Sequence, residues 1–187
     1  CFLSLQTAKA SELPTMSNRQ TDSLAHTQVV YQERISPLAT LAHDLLLKVY
    51  GEESYRGLTP TQVVGGWMNH PDEWKDEPMI LIKDEALRSR LGIVGRYASF
   101  NQLYADDQYR LEVLYQQEES LQKAIFQLDE KVGLIALLLQ GELVQPLADA
   151  RYALSDSEVK VELLYYRYPY VKWMFMGSLT LGFLSIL

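Results

Sequence analysis

The chain has 187 residues and a formal net charge of −7, and 48% of its residues are apolar, enough for one well-buried domain and too many for a disordered chain. Its acidic residues are scattered among lysines and arginines, which excludes the clustered basic footprint that nucleic-acid binding needs. One cysteine, Cys1, excludes an internal disulfide framework, a cysteine-based zinc site and the C-x-x-C-H pattern of covalent haem attachment.

Residues 1–10 run from Cys1-Phe2-Leu3-Ser4-Leu5 to Ala8-Lys9-Ala10, which reads as the remnant of a signal peptide or membrane helix ending in an A-x-A site. A lipidated mature end at Cys1 and an ordinary buried strand are the alternatives. Residues 11–27 are polar, punctuated by Pro14 and without sustained period, so an extended or loosely helical lead-in is expected there. From Gln28 to Ile35 the β-branched content predicts one short strand running into Ser36-Pro37, a serine cap with proline at the first helical position.

The helix that follows carries Leu38, Leu41, Ala42, Leu45, Leu46 and Val49 at three-and-four spacing, and Gly51 ends it. Thr59-Pro60 repeats the cap-and-proline device and opens a second helix through Val63, Val64, Trp67 and Met68 that stops before Pro71. Within it, Gly65-Gly66 either weakens the helix or lets a neighbour approach closely. Met79 to Lys83 predicts a second short strand, a candidate partner for the first, and Asp84 caps a helix holding Leu87, Leu91 and Ile93.

Ser99-Phe100 opens a short helix with Leu103 and Tyr104, and a longer helical stretch is expected from near Asp106 towards Val144. Its apolar seam is Leu114, Leu121, Ile125, Leu128, Val132, Ile135 and Leu139, suited either to a partner helix or to the chain's own core. Pro146 and residues 149–157 form a loop, after which Ser155 or Ser157 starts an amphipathic connector helix over 156–169 with Val159, Leu163, Leu164 and Tyr166. Residues 170–187 read as the start of a transmembrane helix, because Trp173 to Leu187 is free of charge and Tyr168, Tyr170, Lys172 and Trp173 stand where a water-to-lipid boundary would be. The run is shorter than the roughly 20 residues a span needs, so the span is expected to be truncated, with a buried terminal helix as the alternative. The fold class is therefore mainly α: a helical domain over 28–155 with at most a small two-stranded β element, ending in a truncated transmembrane helix.

The sequence offers little local chemistry. His26, His43 and His70 have no metal-ligand spacing to one another or to cysteine; His43 sits beside the apolar face of the first helix and His70 closes the second. The pairs Asp72-Glu73, Asp106-Asp107 and Glu118-Glu119 are adjacent, so within a helix their carboxylates diverge onto a solvated face. G-x-S-x-G, P-loop, G-x-G-x-x-G and H-E-x-x-H signatures are absent, and a hydrolase triad assembled from distant residues has nothing to recommend it. Trp67 and Trp74 with Tyr55, Tyr97 and Phe100 either line a site for a flat hydrophobic ligand such as haem or pack an ordinary core. No catalytic residue and no metal ligand is assigned, and cofactor-binding residues are unknown.

Arg34-Ile35-Ser36-Pro37-Leu38 with Thr40-Leu41-Ala42, then Gly57 to Val64, then Pro71, Trp74 and Glu77 to Lys83, then Tyr97 to Phe100 and Leu128 to Val132, follow one another as phrases. In order and spacing they resemble the extracytoplasmic connecting region of the fused system II (Ccs/Res-type) cytochrome c biogenesis proteins, haem exporter and cytochrome c synthase in one chain. The resemblance covers Val29 to Leu187. Glu33 stands where the family phrase has glycine, and Lys131 and Gly133 depart from its D-E-R-V-N.

The resemblance implies a bacterial inner (cytoplasmic) membrane protein with this segment on the periplasmic side. It also implies haem as cofactor of the full-length protein, with the membrane, apocytochrome c and other cytochrome c biogenesis components as partners and no nucleic acid. The family's tryptophan-rich motif, W-G-x-x-W-x-W-D, is absent, and Trp67 and Trp74 do not satisfy it. No haem ligand is therefore carried over, and the segment is implied to be a structural or docking domain without a recognisable catalytic site. The competing reading is a membrane-tethered protein-interaction module, unrelated to haem, that binds another subunit through the seam from Leu121 to Leu139.

Overall fold

The computed structural model describes residues 13–105, 108–147 and 149–168. The signal-peptide or membrane-helix remnant at 1–10 and the transmembrane start at 170–187 lie outside the described residues. Among the described residues no helix is long and apolar enough to cross a membrane.

The chain is mainly helical, and one helix organises the rest. α2 (Leu38–Val49) buries all six apolar residues of its three-and-four pattern and packs against helices that come before, directly after and far along the sequence. Full burial of one such side chain stabilises by about 1.5–3 kcal/mol, so this stripe is a principal stabilising feature of the fold. Gly51, at φ 92°, turns the chain away from the helix end, and its amide reaches back to the Leu46 carbonyl.

The lead-in is partly helical and packed. α1 (Asn18–His26) starts at Ser17, which forms a capping box with Gln20, and it rests on α2 and on α3 (Pro60–Asn69). Leu13 and Leu24 pack against the core, so the segment is held by burial rather than left as an extended tether.

The expected single strand at 28–35 is instead a hairpin. β1 (Gln28–Tyr31) pairs antiparallel with β2 (Arg34–Pro37) in a register from Gln28↔Pro37 to Tyr31↔Arg34. The two residues between them, Gln32 and Glu33, both have positive φ, 50° and 62°, the conformation a two-residue turn of primed type demands. Closing this ladder draws Ser36 and Pro37 into β2, so Ser36 does not cap α2. Pro37 occupies the cap position, and the Leu38 amide donates to the Thr27 carbonyl at 2.7 Å instead. The outer edge of β1 is met by a later segment through an isolated bridge, Val29↔Pro146, with Val30 donating to the Gln145 carbonyl.

More β pairing is present than the one small element expected: among the described residues there are three two-stranded antiparallel ladders besides isolated bridges. β3 (Ile80–Leu81) pairs with β4 (Tyr97–Ala98) rather than with the first strand, and β5 (Tyr104–Ala105) pairs with β6 (Gln108–Tyr109). Each ladder closes over a short sequence distance, which costs less chain entropy than the longer-range pairing of 28–35 with 79–83.

The cap signals read from the sequence hold where a side-chain acceptor is free. Thr59 accepts from the Gln62 amide to open α3, and α4 (Pro71–Lys75) follows it after His70. Asp84 accepts from the Leu87 amide at 2.8 Å to open α5 (Glu85–Leu91). Ile93 lies beyond that helix, past Gly92 at φ 64°.

The long stretch from 106 towards 144 is not one helix. α6 (Arg110–Gln117) ends at Glu118, whose φ and ψ of −125° and 81° leave helical space, and α7 (Gln122–Leu139) begins after a 3₁₀ turn. An ion pair of 2.9 Å between Arg90 and Glu118 pins the break. Gly141, at φ 76°, ends α7 before Val144. The seam Leu121, Ile125, Leu128, Val132 and Ile135 is buried in the same core as α2 and α3, with Leu138 rather than Leu139 continuing it. It is therefore occupied within the chain and not available as the subunit-binding surface of the competing reading.

α8 (Asp156–Arg167) starts at Ser155 through a capping box with Glu158 and packs on α2 and β2.

Candidate functional site

The five aromatic residues singled out in the sequence do come together. Ring contacts run Tyr97–Tyr50 (4.8 Å between centroids), Tyr50–Tyr55 (4.9 Å), Tyr55–Trp74 (6.2 Å), Trp74–Trp67 (6.2 Å) and Trp67–Phe100 (6.3 Å), then on to Tyr104 and Tyr109 at 5.1 Å each. The rings fill one another's space. Trp67 and Trp74 are buried, and the cavity beside Trp67 is about 10 Å³, room for no flat ligand.

Their polar atoms are also taken. Trp74 Nε1 donates to the Pro14 carbonyl at 2.9 Å, Trp67 Nε1 to Met79 Sδ at 3.0 Å, and the Tyr55 hydroxyl to Glu77. Burial first, then the Glu77 contact, pushes the Tyr55 hydroxyl above the usual tyrosine range. This cluster does not fit a haem and is core packing.

Of the three histidines, His43 has the most constrained surroundings. It projects from α2, nearly buried, with Nδ1 3.3 Å from Asp44 and Nε2 3.8 Å from Glu53, and its ring lies 4.5 Å from that of Tyr166 on α8. Nearby, Glu162 of α8 accepts from Thr40 at 2.7 Å and pairs with Arg34 at 3.0 Å. These contacts fasten α8 to the hairpin and α2. Burial, then the carboxylates of Asp44 and Glu162, raises the Tyr166 hydroxyl. His26 bonds the Asp22 carbonyl within its own helix, and His70 lies at the junction of α3 and α4. Among the described residues no group of three His, Cys, Asp or Glu could hold a metal ion.

Among the described residues, carboxylates of the adjacent acidic pairs do not converge on a shared site. Glu118 goes to Arg90 and Asp72 to Lys75 at 3.8 Å. Asp106 and Asp107 lie outside the described residues.

What the sequence reading missed is a cavity of about 370 Å³ between α2, the segment around β3, and α7. Leu47, Leu81, Ile82, Leu87 and Leu128 supply apolar wall, and Lys48, Lys83 and Lys131 supply three amines. Lys131 Nζ donates to the Leu81 carbonyl at 2.5 Å. Burial first, then Lys83 and Lys48, lowers its pKa to about 8. Lys131 had stood out only as a departure from a phrase, because its partners come from distant parts of the chain.

No protein-family model matches the chain. Over 120 residues it is 28% identical to Protein NrfI of Wolinella succinogenes, a match that takes in 59% of this chain and 13% of that protein. The chain thus spans a small part of the length of the curated relative it matches.

Proposed function

We propose that this chain is part of a cytochrome c maturation protein of the system II type, in which it serves as a structural and docking unit and leaves haem handling to other parts. The observation that carries the reading is the partial similarity to NrfI, which supports cytochrome c biogenesis in general. The ordered phrases from Arg34 to Val132 agree with it.

The division of labour rests on the packing. Trp67 and Trp74, the candidates for facing haem, are buried in the core, and so is the α7 seam. We place docking on the outer face of α8, where Val161 and Leu164 are 67% and 49% exposed on a helix otherwise clamped through Glu162 and Tyr166. In this reading the unit lies on the periplasmic face of the bacterial inner membrane. The uncharged run from Trp173 to Leu187 enters the bilayer, and apocytochrome c and further maturation components are its partners.

The test uses the full-length protein that contains this segment. The double variant Val161→Asp and Leu164→Asp is expected to lower holocytochrome c formation while the protein still accumulates, since both side chains are exposed and the core is untouched. Unchanged holocytochrome c in that variant removes the docking face. Unchanged holocytochrome c after deletion of the region from Leu38 to Leu143 removes the maturation role altogether.

A further inference from the structure

We propose that the cavity ringed by Lys48, Lys83 and Lys131 is a binding site for an amphiphilic carboxylate, a fatty-acid-like anion whose head meets the amines and whose tail lies on the leucine wall. The inference does not depend on the maturation reading.

Three observations carry it. The first is charge: the chain is acidic as a whole, yet three amines from three elements converge on one cavity. Its wall also holds two carboxylates, Glu130 paired with Lys48 at 3.2 Å and Asp84, which accepts from the Leu87 amide at 2.8 Å and keeps its charge, so the lining stays positive by one. Among the described residues, Lys83 and Lys131 pair with no carboxylate. This residual positive charge favours an incoming anion.

The second is the position of Lys131. It is half-buried, and its hydrogen bond to the Leu81 carbonyl holds the amine beside the leucine wall instead of extended into water. Arg88 caps the next two carbonyls, those of Ile82 and Lys83, at 2.9 and 3.0 Å, so this edge of the β3 segment is lined by cations.

The third is the wall. Leu47, Leu81, Ile82, Leu87, Ala124 and Leu128 form one apolar side of a cavity whose volume lies within the range of small-molecule sites. A bare phosphate would use the amines and leave this wall wet, whereas a carboxylate with an alkyl tail uses both.

The experiment titrates the full chain with decanoate below its micelle concentration and, separately, with inorganic phosphate at matched ionic strength. Calorimetry gives affinity, and NMR of ¹³Cε-labelled lysine follows the amines. Decanoate is expected to bind saturably and to move the Lys131 titration upward from about 8 towards the ordinary lysine range.

Lys131→Met and Lys83→Met should each weaken decanoate about tenfold, the scale of one charge-assisted contact. Lys123→Met, outside the cavity, should leave it unchanged. Leu47→Asn, neutral and at a position 43% exposed, should weaken decanoate without affecting phosphate. Because Lys83 is exposed, its variant keeps the fold even if Lys131→Met does not. Decanoate affinity that survives Lys83→Met, phosphate binding as tight as decanoate, or a Lys131 titration unmoved by saturating decanoate each overturns the proposal.

Discussion

Replacing Gly66 by alanine is expected to destabilise the chain by about 2–3 kcal/mol, although alanine in a helix interior is by itself favourable by ~1 kcal/mol. The sign is decided by space. A Cβ at residue 66 would stand 2.5 Å from Trp74 Cζ2 and Nε1, with Cε2 also in contact. The indole is fully buried, and its Nε1 is held by the Pro14 carbonyl, so the ring cannot swing aside. Moving it bodily disturbs Tyr55 and Trp67 and strands a buried donor.

Overpacking of this kind costs about 1–3 kcal/mol and a lost buried hydrogen bond about 1–3 more; about 2 for the first and about 1–2 for the second, less the helix gain of ~1, leave about 2–3 kcal/mol. For a chain of this size that lowers Tm by roughly 4–12 °C. Gly65→Ala is the internal control. Its Cβ would also overlap a neighbour, but that neighbour is the Met16 thioether, the end of a flexible side chain, so the change should stay within about 1 kcal/mol of wild type. Urea denaturation followed by tryptophan fluorescence and far-UV circular dichroism measures both. A Gly66→Ala variant as stable as wild type, or equal losses in the two variants, refutes the steric reasoning.

Glu33→Gly should stabilise by about 1 kcal/mol, because Glu33 sits at φ 62° in the two-residue turn where glycine carries no Cβ penalty; a lower urea midpoint would contradict this. Asp84→Ala removes the acceptor for the Leu87 amide and should cost about 1 kcal/mol, read as an earlier thermal transition. Stability should rise between pH 8 and 10, since Lys131 is neutral in the folded chain above about 8 while the unfolded chain keeps its proton to about 10.5. The group is half-exposed, so solvent screening limits the rise to about 1 kcal/mol. Above the ordinary tyrosine value of 10.0 the slope reverses, because Tyr55 and Tyr109 retain in the folded chain protons that the unfolded chain loses. Melting curves across pH 7–11 should therefore peak near pH 10, and Lys131→Met should abolish the rise below the peak.

Helix starts were legible where the capping side chain and the capped amide are local, as at Thr59, Asp84 and Ser155, because nothing distant competes for the oxygen. The same logic failed at Ser36. There a hairpin closed by Gln32 and Glu33, neither a usual turn residue, drew the serine into a strand. Apolar spacing also pointed to a longer helical stretch from near Asp106 towards Val144, and the break at Glu118 escaped notice because its ion-pair partner, Arg90, lies on another element. The apolar seam from Leu121 to Ile135 was correctly placed on one face, but period alone does not say what covers a face. Only the fold shows that α2 and α3 do.

The lysine cavity is an extreme case of that limit. Net charge −7 with dispersed signs argued soundly against a nucleic-acid footprint, which needs a basic stripe along one surface. It has no bearing on a site built from Lys48 on α2, Lys83 after β3 and Lys131 on α7, because average charge is insensitive to which few residues the chain brings together. The visible trace of that convergence is energetic: Lys131 holds its proton less tightly than a solvated lysine, through burial and its two like-charged neighbours. Either an anion relieves that tension, and the Lys131 titration climbs when decanoate binds, or the folded chain carries it at neutral pH and gains stability as the proton leaves.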